Sequence, residues 1–175
     1  MAYEGHSGEA EKLQCETLEI QRRVLGTEHP DTLASMGLLA YAFAGEGRYK
    51  EAEKLTRKTL EIQRRILSPE HPDTLGSMDI LAYALAGEGR YTEAERLSRE
   101  ALEIQRRVFG PEHPDTLGSL ELDAIYAGME GRYNDAEKLF REAIQTAGKV
   151  SEPGVLGTWR RLVFFRLWSH RHGAP

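Results

Sequence analysis

Histidines, acidic residues and a single cysteine are the side chains of this 175-residue sequence that could bind a metal ion or support catalysis. His29, His71 and His113 stand 42 residues apart, each inside the same short motif. Metal ligands must all lie roughly 2 Å from one ion. A motif that recurs every 42 residues indicates repeated structural units, and equivalent positions of units that stack on one another are too far apart to share an ion. The sequence therefore predicts a structural role in loops for these histidines, and no metal site.

The acidic residues and the cysteine follow no catalytic pattern. Paired carboxylates such as Glu51 and Glu53 recur in every repeat beside a solvated helix, and no serine, cysteine or histidine group stands apart from the repeat. Cys15 is the single cysteine, so no disulfide can form within the chain. These observations predict a protein that is not an enzyme and binds no cofactor.

A repeat of 42 residues organises the chain. The motifs EHPDTL and GRY each occur three times at this interval, beginning at Glu28, Glu70 and Glu112 and at Gly47, Gly89 and Gly131. Residues 26–67 and 68–109 are identical at 29 of 42 positions, and such self-similarity is the signature of a repeat architecture. It predicts one domain, residues 1–147, with a half repeat (3–25), these two full repeats and a third repeat (110–147).

Each repeat has the pattern of two α-helices. In the first half of a repeat, Leu39 and Phe43 follow helical spacing, and a similar apolar stripe follows in the second half. Pro30 suits the first position of a helix, and Asp31 is expected to cap that helix or to complement its positive end. The stretch that starts at Gly45 then ends the first helix. Small residues are expected where the paired helices approach closely, at Ala40, Ala82, Ala124, Ala52, Ala94 and Ala136.

The order HPDTL, GRY, EAE and LEIQRR resembles the tetratricopeptide repeat (TPR) family, in particular its longer, kinesin-light-chain-like subclass. The resemblance extends from Gly8 to Ala147. It implies an all-α fold, a right-handed α-solenoid of antiparallel helical hairpins (a TPR superhelix), which binds other proteins. Similar arrays form the sensor tails of NB-ARC-type signalling proteins, although the Walker A motif of such ATPases, G-x-x-x-x-G-K-[ST], does not occur here.

The resemblance also implies a partner-binding groove, because in the family the first helix of each hairpin lines the concave side. The groove positions that could determine binding are Leu38, Tyr41, Asp79, Ile80, Tyr83, Glu121, Leu122 and Ile125. Smaller residues implied at the same surface are Ala34, Gly37, Ala44, Gly76 and Ala86. Related repeats often carry asparagine in place of Leu38, Ile80 and Leu122, and the set that clamps a terminal carboxylate in chaperone-binding members is missing. The predicted partner is therefore an apolar, aromatic or mildly basic segment.

Several groove residues also have a structural explanation. Tyr41 and Tyr83 could pack against a neighbouring repeat, whereas Tyr49 recurs with the glycine turn and is expected to pack at the start of the second helix. Asp79 and Glu121 stand where the first full repeat has glycine, which fits either ligand exposure or ordinary surface variation.

Charged residues of the repeat lead to two further expectations. The arginine pairs that begin at Arg22, Arg64 and Arg106 follow a glutamate by three and four residues, which predicts ion pairs within a helix rather than a surface for nucleic acid. Asp123 stands where Leu39 supplies core in the first full repeat. Since a buried unpaired carboxylate is costly, the third repeat is expected to be looser or rotated.

Residues 148–175 depart from the repeat. They are predicted to form a turn and an atypical C-terminal helix at about 156–170, in which many large apolar residues stand among a few arginines. Thr158 and Leu162 fall in the frame of another first helix, but the HPD start is missing. This segment is expected to cap the last hairpin, to occupy a groove, or to contact a second copy in a homodimer. The residues assigned to the oligomer contact are Trp159, Leu162, Phe165 and Trp168.

Composition limits the remaining classes of function. The net charge of −5 argues against nucleic-acid binding. The N-terminus lacks the apolar stretch of a secretory signal and no apolar run could span a membrane, which predicts a cytoplasmic protein and ranks membrane binding below the other roles. The predicted function is a protein–protein interaction scaffold. The alternatives are a self-assembling structural repeat protein, or the partner-sensing segment of a larger NB-ARC-type signalling protein.

Overall fold

The structure is a computed structural model that describes residues 4–147, with side chains from Glu9 onward. These residues form seven α-helices and no β-strand, which confirms the predicted all-α class. The helices are α1 (Glu4–Val24), α2 (Pro30–Gly45), α3 (Tyr49–Ile66), α4 (Pro72–Gly87), α5 (Tyr91–Val108), α6 (Pro114–Met129) and α7 (Tyr133–Ala147). They fall into two compact units that divide between Arg90 and Tyr91, the first with α1 to α4 and the second with α5 to α7.

The first helix of each repeat begins with a histidine cap. His29 lies just before α2, and its Nδ1 atom accepts a hydrogen bond from the backbone N–H of Asp31 at 3.2 Å. His71 and His113 make the same contact at the same distance before α4 and α6. This bond satisfies one of the N–H groups that have no partner inside the helix, and Pro30 needs none at the first position. The histidine is therefore the cap, while Asp31 contributes its negative charge to the first turn.

The end of each first helix depends on a glycine. Gly47 has a φ of 77°, a left-handed conformation that glycine adopts without the steric cost of a Cβ atom. Its N–H donates to the Ala44 carbonyl at 3.1 Å, and the Arg48 N–H donates to the Phe43 carbonyl at 2.8 Å. These two bonds form a Schellman motif, after which the chain reverses and α3 begins at Tyr49. The glycine stretch thus ends the helix as predicted.

The core of the first unit lies between α1, α2 and α3. Leu33 and Met36 of α2 are almost fully buried around Leu18 of α1. Leu55 and Ile62 of α3 are partly buried and pack against the same cluster, and α4 packs against both α2 and α3. The apolar stripe of α3 therefore packs against a core that α2 mainly supplies.

Alanines occupy the tightest positions of the helices. The six alanines predicted for close contacts all have 0% exposure in the structure: Ala40, Ala52, Ala82, Ala94, Ala124 and Ala136. A fully covered Cβ leaves no space for a larger side chain without repacking. These positions therefore allow helices to approach closely, in agreement with the prediction.

In the second unit, α6 packs against α5 and α7. Leu102 of α5, Leu120 of α6 and Ala143 of α7 form a buried cluster, and Asp123 of α6 is also buried, with 1% exposure. Helix α6 nevertheless has 16 residues, as α2 and α4 do. The buried carboxylate is therefore accommodated without a change in the length of the helix.

Candidate partner-binding surface

Helix α2 exposes two large side chains on one face. Leu38 and Tyr41 are 61% and 62% exposed, and their spacing of three residues makes them neighbours on the helix surface. Leu39 and Ala40, which stand between them in the sequence, are buried. The result is an apolar surface with a phenolic hydroxyl, a combination that is common in protein interfaces.

Helix α4 carries three further predicted residues at equivalent positions of the next repeat. Tyr83 is 39% exposed, and Asp79 and Ile80 are half-buried. Since α4 packs directly against α2, five of the predicted groove residues lie on two adjacent helices of the first unit. We call these five residues the α2–α4 surface: Leu38, Tyr41, Asp79, Ile80 and Tyr83.

A tyrosine outside the predicted set supports this surface. The ring centroids of Tyr49 and Tyr83 lie 6.3 Å apart with an angle of 86° between the planes, which is a favourable edge-to-face arrangement. Burial raises the pKa of the Tyr83 hydroxyl, and the nearby Tyr49 and Tyr41 add to this increase. The hydroxyl therefore stays protonated and can donate a hydrogen bond. Tyr49 lies at the start of α3 as predicted, but its contact with Tyr83 was missed.

Gly87, the last residue of α4, lies directly against the ring of Tyr49. A Cβ atom added to Gly87 would lie 2.3 Å from the Cδ1 and Cε1 atoms of Tyr49. At Gly45, the equivalent residue of α2, an added Cβ would meet nothing within 4 Å. The sequence has the same motif at both places, so it does not reveal that Gly87 positions a tyrosine of the surface.

The other predicted groove residues lie on α6 in the second unit. Glu121, Leu122 and Ile125 are all half-buried there. Two of the smaller residues implied for the groove, Ala44 and Ala86, are buried, with 0% and 6% exposure. These two alanines therefore do not present a surface to a partner, which corrects that part of the expectation.

A comparison with known families settles what kind of repeat this is. The sequence profile described as tetratricopeptide repeat matches residues 5–65 and 76–149, which is more than half of the chain. The chain belongs to the tetratricopeptide repeat family. No curated protein sequence matches it significantly.

Solved structures identify the kind of TPR hairpin. Two crystal structures of nearly identical TPR-like repeats, from a kinesin light chain candidate of Podosopora anserina, are 32% identical to this chain. The first has a TM-score of 0.71, and the match covers 83% of this chain and 69% of the chain in that structure. The second has a TM-score of 0.69, and the match covers 85% of this chain and 71% of the chain in that structure. BtubC (BKLC) from P. vanneervenii has a TM-score of 0.79 over 97% of this chain and 68% of its own, but its 20% identity supports the fold alone. The kinesin-light-chain-like TPR family and the hairpin solenoid fold are thus confirmed.

The arginine of each GRY motif in this TPR chain pairs with a glutamate 37 residues earlier. Arg48 contacts Glu11 at 2.5 Å and Arg90 contacts Glu53 at 2.8 Å in the first unit, and the third such arginine, in the second unit, contacts Glu95. Burial opposes ionisation of Glu53, but hydrogen bonds from two arginines lower the pKa of its carboxyl group. The GRY and EAE motifs are therefore partners, a pairing that was not predicted although each motif occurs three times at the 42-residue interval.

The arginine pairs at the ends of the second TPR helices agree only partly with the prediction. Arg22 contacts Glu19 at 3.1 Å within α1, with the predicted spacing. Arg106 of α5 contacts Glu142 of α7 at 2.6 Å, which is a contact between two helices. These pairs therefore hold neighbouring helices together as well as stabilising single ones.

Other sequence predictions for this TPR chain concern metals, membranes and the C-terminus. In the part of the chain that the structure describes, no three or more His, Cys, Asp or Glu side chains are grouped in a way that could hold a metal ion. No helix within residues 4–147 is both long and apolar enough to cross a membrane. The predicted oligomer contacts lie outside the described residues: Trp159, Leu162, Phe165 and Trp168.

Proposed function

We propose that this protein is a scaffold that binds a segment of another protein on its α2–α4 surface. TPR repeats in general indicate protein–protein interaction scaffolds, and kinesin-light-chain-like folds are typically non-enzymatic. The observation that carries the proposal is the exposure of Leu38 and Tyr41, at 61% and 62%, on a helix whose other large side chains are buried. Large apolar residues that the core leaves exposed together are candidates for burial by a partner.

The side chains of this surface define the chemistry of the partner. Leu38 and Ile80 favour aliphatic or aromatic side chains, since burying apolar area from both partners stabilises a complex. The two tyrosines add flat apolar rings, and each hydroxyl can exchange a hydrogen bond with a peptide backbone. Asp79, half-buried on α4, favours a basic side chain beside the apolar ones.

The second unit offers a smaller set of the same kind. Leu122 and Ile125 are half-buried aliphatic residues on α6, and Glu121 supplies an acidic group there. We propose that these residues bind a segment with the same apolar and mildly basic character. The proposed partner is thus a protein segment, without nucleic acid, cofactor or metal.

Capture of partners from a cell extract tests the proposal. Replacing Tyr41 and Tyr83 by alanine removes the exposed rings, and each ring that acts as a binding hot spot contributes about 1–2 kcal/mol, or roughly tenfold in affinity. We expect the double variant to capture much less of any specific partner than the unaltered protein.

A matched control uses a tyrosine that lies outside the surface. Tyr133, at the start of α7, is 38% exposed, almost as much as Tyr83 at 39%, so Tyr133→Ala removes a similar ring. Circular dichroism must show that all variants stay helical. The groove assignment is wrong if the double variant captures the same partners as efficiently as the Tyr133→Ala control does.

A further inference from the structure

Helix α1 carries an apolar stripe that is exposed along its length. Leu13, Thr17, Ile20 and Val24 are spaced by four, three and four residues, which places them on one face of the helix. Leu13 is 63% exposed, Ile20 54% and Val24 68%, and Thr17 is exposed too. We call these four residues the α1 stripe. It lies on a different helix from the α2–α4 surface and is independent of the proposed function.

Three of the four equivalent positions are covered in α3, the next second helix of the first unit, while the fourth, Ile66, is 38% exposed. Helix α3 has the same residue types at the equivalent positions, 42 residues later. Leu13, Thr17 and Ile20 of α1 correspond to Leu55, Thr59 and Ile62 of α3. Thr59 has 0% exposure, and Leu55 and Ile62 pack against the core cluster. Identical residue types are thus exposed in α1 and covered in α3, so the difference lies in the helix that covers them.

Helix α2 contributes most of the cluster that covers the α3 stripe. The buried cluster against which α3 packs is built mainly from α2, with Leu33, Met36 and Leu39 in it. These residues stand at intervals of three, and together they form a row of large apolar groups in the cluster against which α3 packs. A segment that fits the α1 stripe must therefore offer large apolar residues at the same three positions.

Residues 156–170 of this chain offer that pattern. Continuing the 42-residue period three times from Leu33, Met36 and Leu39 leads to Trp159, Leu162 and Phe165. All three are large and apolar, so at the positions that cover the α3 stripe this segment has the composition of a first helix.

Charge points to the same pairing. Residues 153–175 contain four arginines and no acidic residue, in a chain whose net charge is −5. On α1, Glu9 and Glu16 lie beside the stripe by helical spacing and both are exposed, with Lys12 3.9 Å from Glu16 and Arg23 beside the C-terminal end of the stripe. The N-terminal half of the stripe thus has two acidic neighbours, which favours a basic apolar segment over a second α1 stripe.

We propose that the α1 stripe binds residues 156–170 of a second copy of this chain, which completes a helical hairpin between two molecules. The contact joins two different surfaces, so it is heterologous. When one segment binds one stripe, the pair of copies still has one free stripe and one free segment. Heterologous contacts build open chains of copies or closed rings, of which a reciprocal exchange of segments between two copies is the smallest.

Two full-length variants test each half of the contact. Ile20→Arg places a positive charge in the stripe, where it repels the arginines of the segment, and Phe165→Arg disrupts the segment. Leu38→Arg is the control, because Leu38 is about as exposed as the stripe residues but lies on the α2–α4 surface. Mass is measured by light scattering and sedimentation over a wide range of concentration, with circular dichroism to verify folding.

The unaltered protein and the Leu38→Arg control should show a mass that rises with concentration above the 19.7 kDa of one chain. Ile20→Arg and Phe165→Arg should each weaken this association by about tenfold or more. An equimolar mixture of these two variants retains one intact stripe and one intact segment, so it should form a one-to-one heterodimer and nothing larger. A monomeric unaltered protein, association that survives Ile20→Arg, or a mixture without heterodimer would each overturn the proposal.

Discussion

At the scale of single residues, Asp123 is a buried acid at a position where the two preceding repeats have a core leucine. Burial raises the pKa of its carboxyl group to about 6, although Ser98, Arg99 and Arg106 act in the opposite direction and Glu95 adds to the increase. The folded chain therefore binds this proton more tightly than the unfolded chain, whose carboxyl has an ordinary pKa of 3.8. Asp123 thus destabilises the fold most when it is ionised.

Replacing Asp123 by leucine should stabilise the protein in a pH-dependent way. The penalty is absent below pH 4, grows as the pH rises to about 6 and is complete above it, where two pKa units correspond to about 3 kcal/mol. Urea unfolding should show a large gain for Asp123→Leu at about pH 8 and a much smaller one near pH 4. Asp123→Asn removes the charge and keeps the shape of the side chain. Its stability should therefore also lack the pH-dependent penalty that the unaltered protein has. A gain that is equal at both pH values would contradict this explanation.

Gly45 and Gly87 should respond differently to alanine. At Gly45 an added Cβ meets open space, and alanine stabilises a helix by about 0.5–1 kcal/mol relative to glycine. At Gly87 the same atom would collide with the ring of Tyr49, so the ring must move and lose its contact with Tyr83. Gly45→Ala should raise the melting temperature and Gly87→Ala should lower it. Similar shifts in both variants would show that the ring does not depend on Gly87.

At the scale of helices, ion pairs connect elements that are distant in sequence. The side chain of Glu95 on α5 is only 10% exposed and contacts both Arg99 and Arg132. Glu137 has the equivalent position on α7, but its side chain is 41% exposed and contacts Arg141 at 2.7 Å. Because water screens exposed ion pairs, the Glu137–Arg141 pair contributes less to stability than the Glu95–Arg99 pair does.

Removing the charge of each glutamate tests this difference. Glu95→Gln should lower the free energy of unfolding by about 1–3 kcal/mol, because it leaves a partly buried arginine with weaker partners. Glu137→Gln should change it by less than about 0.5 kcal/mol. Urea unfolding of the two variants measures both values, and equal losses would mean that burial does not strengthen the Glu95 contacts.

At the scale of the whole molecule, stability depends on how many neighbours each helix has. Stacked repeats gain most of their stability from contacts with adjacent helices. In the first unit, α3 packs against both α2 and α4, whereas α1 packs against α2 and leaves its stripe exposed. The two helices have closely related sequences, so their difference in packing should control how easily each one opens.

Hydrogen exchange should reveal this difference at low protein concentration. Backbone amides of residues 9–24 should exchange at least about tenfold faster than those of the equivalent part of α3. If a second copy covers the α1 stripe, protection of α1 should rise with concentration in the unaltered protein but not in Ile20→Arg. Equal protection of α1 and α3 at low concentration would contradict the expectation.

The local structure of this protein can be predicted from its amino-acid sequence. The 42-residue period, the proline after each histidine and the glycine stretch predicted where each first helix begins and ends, and the periodicity and motif order predicted a TPR hairpin. Helix starts, helix ends and periodicity depend on groups within a few residues of one another. For that reason they can be found without knowledge of the tertiary structure. The residues of the α2–α4 surface stay a prediction of partner contact.

The packing of the helices determines which chemically similar residues are exposed and which distant residues are partners. Leu13 and Leu55 have the same place in the repeat, yet one is exposed and the other packs against the core. Arg48 meets Glu11, 37 residues away. Exposure and pairing depend on what another part of the chain places against a residue, and a repeat with nearly identical local sequences carries little information about that. The exposed stripe of α1 therefore became visible only when the packing of each helix was compared.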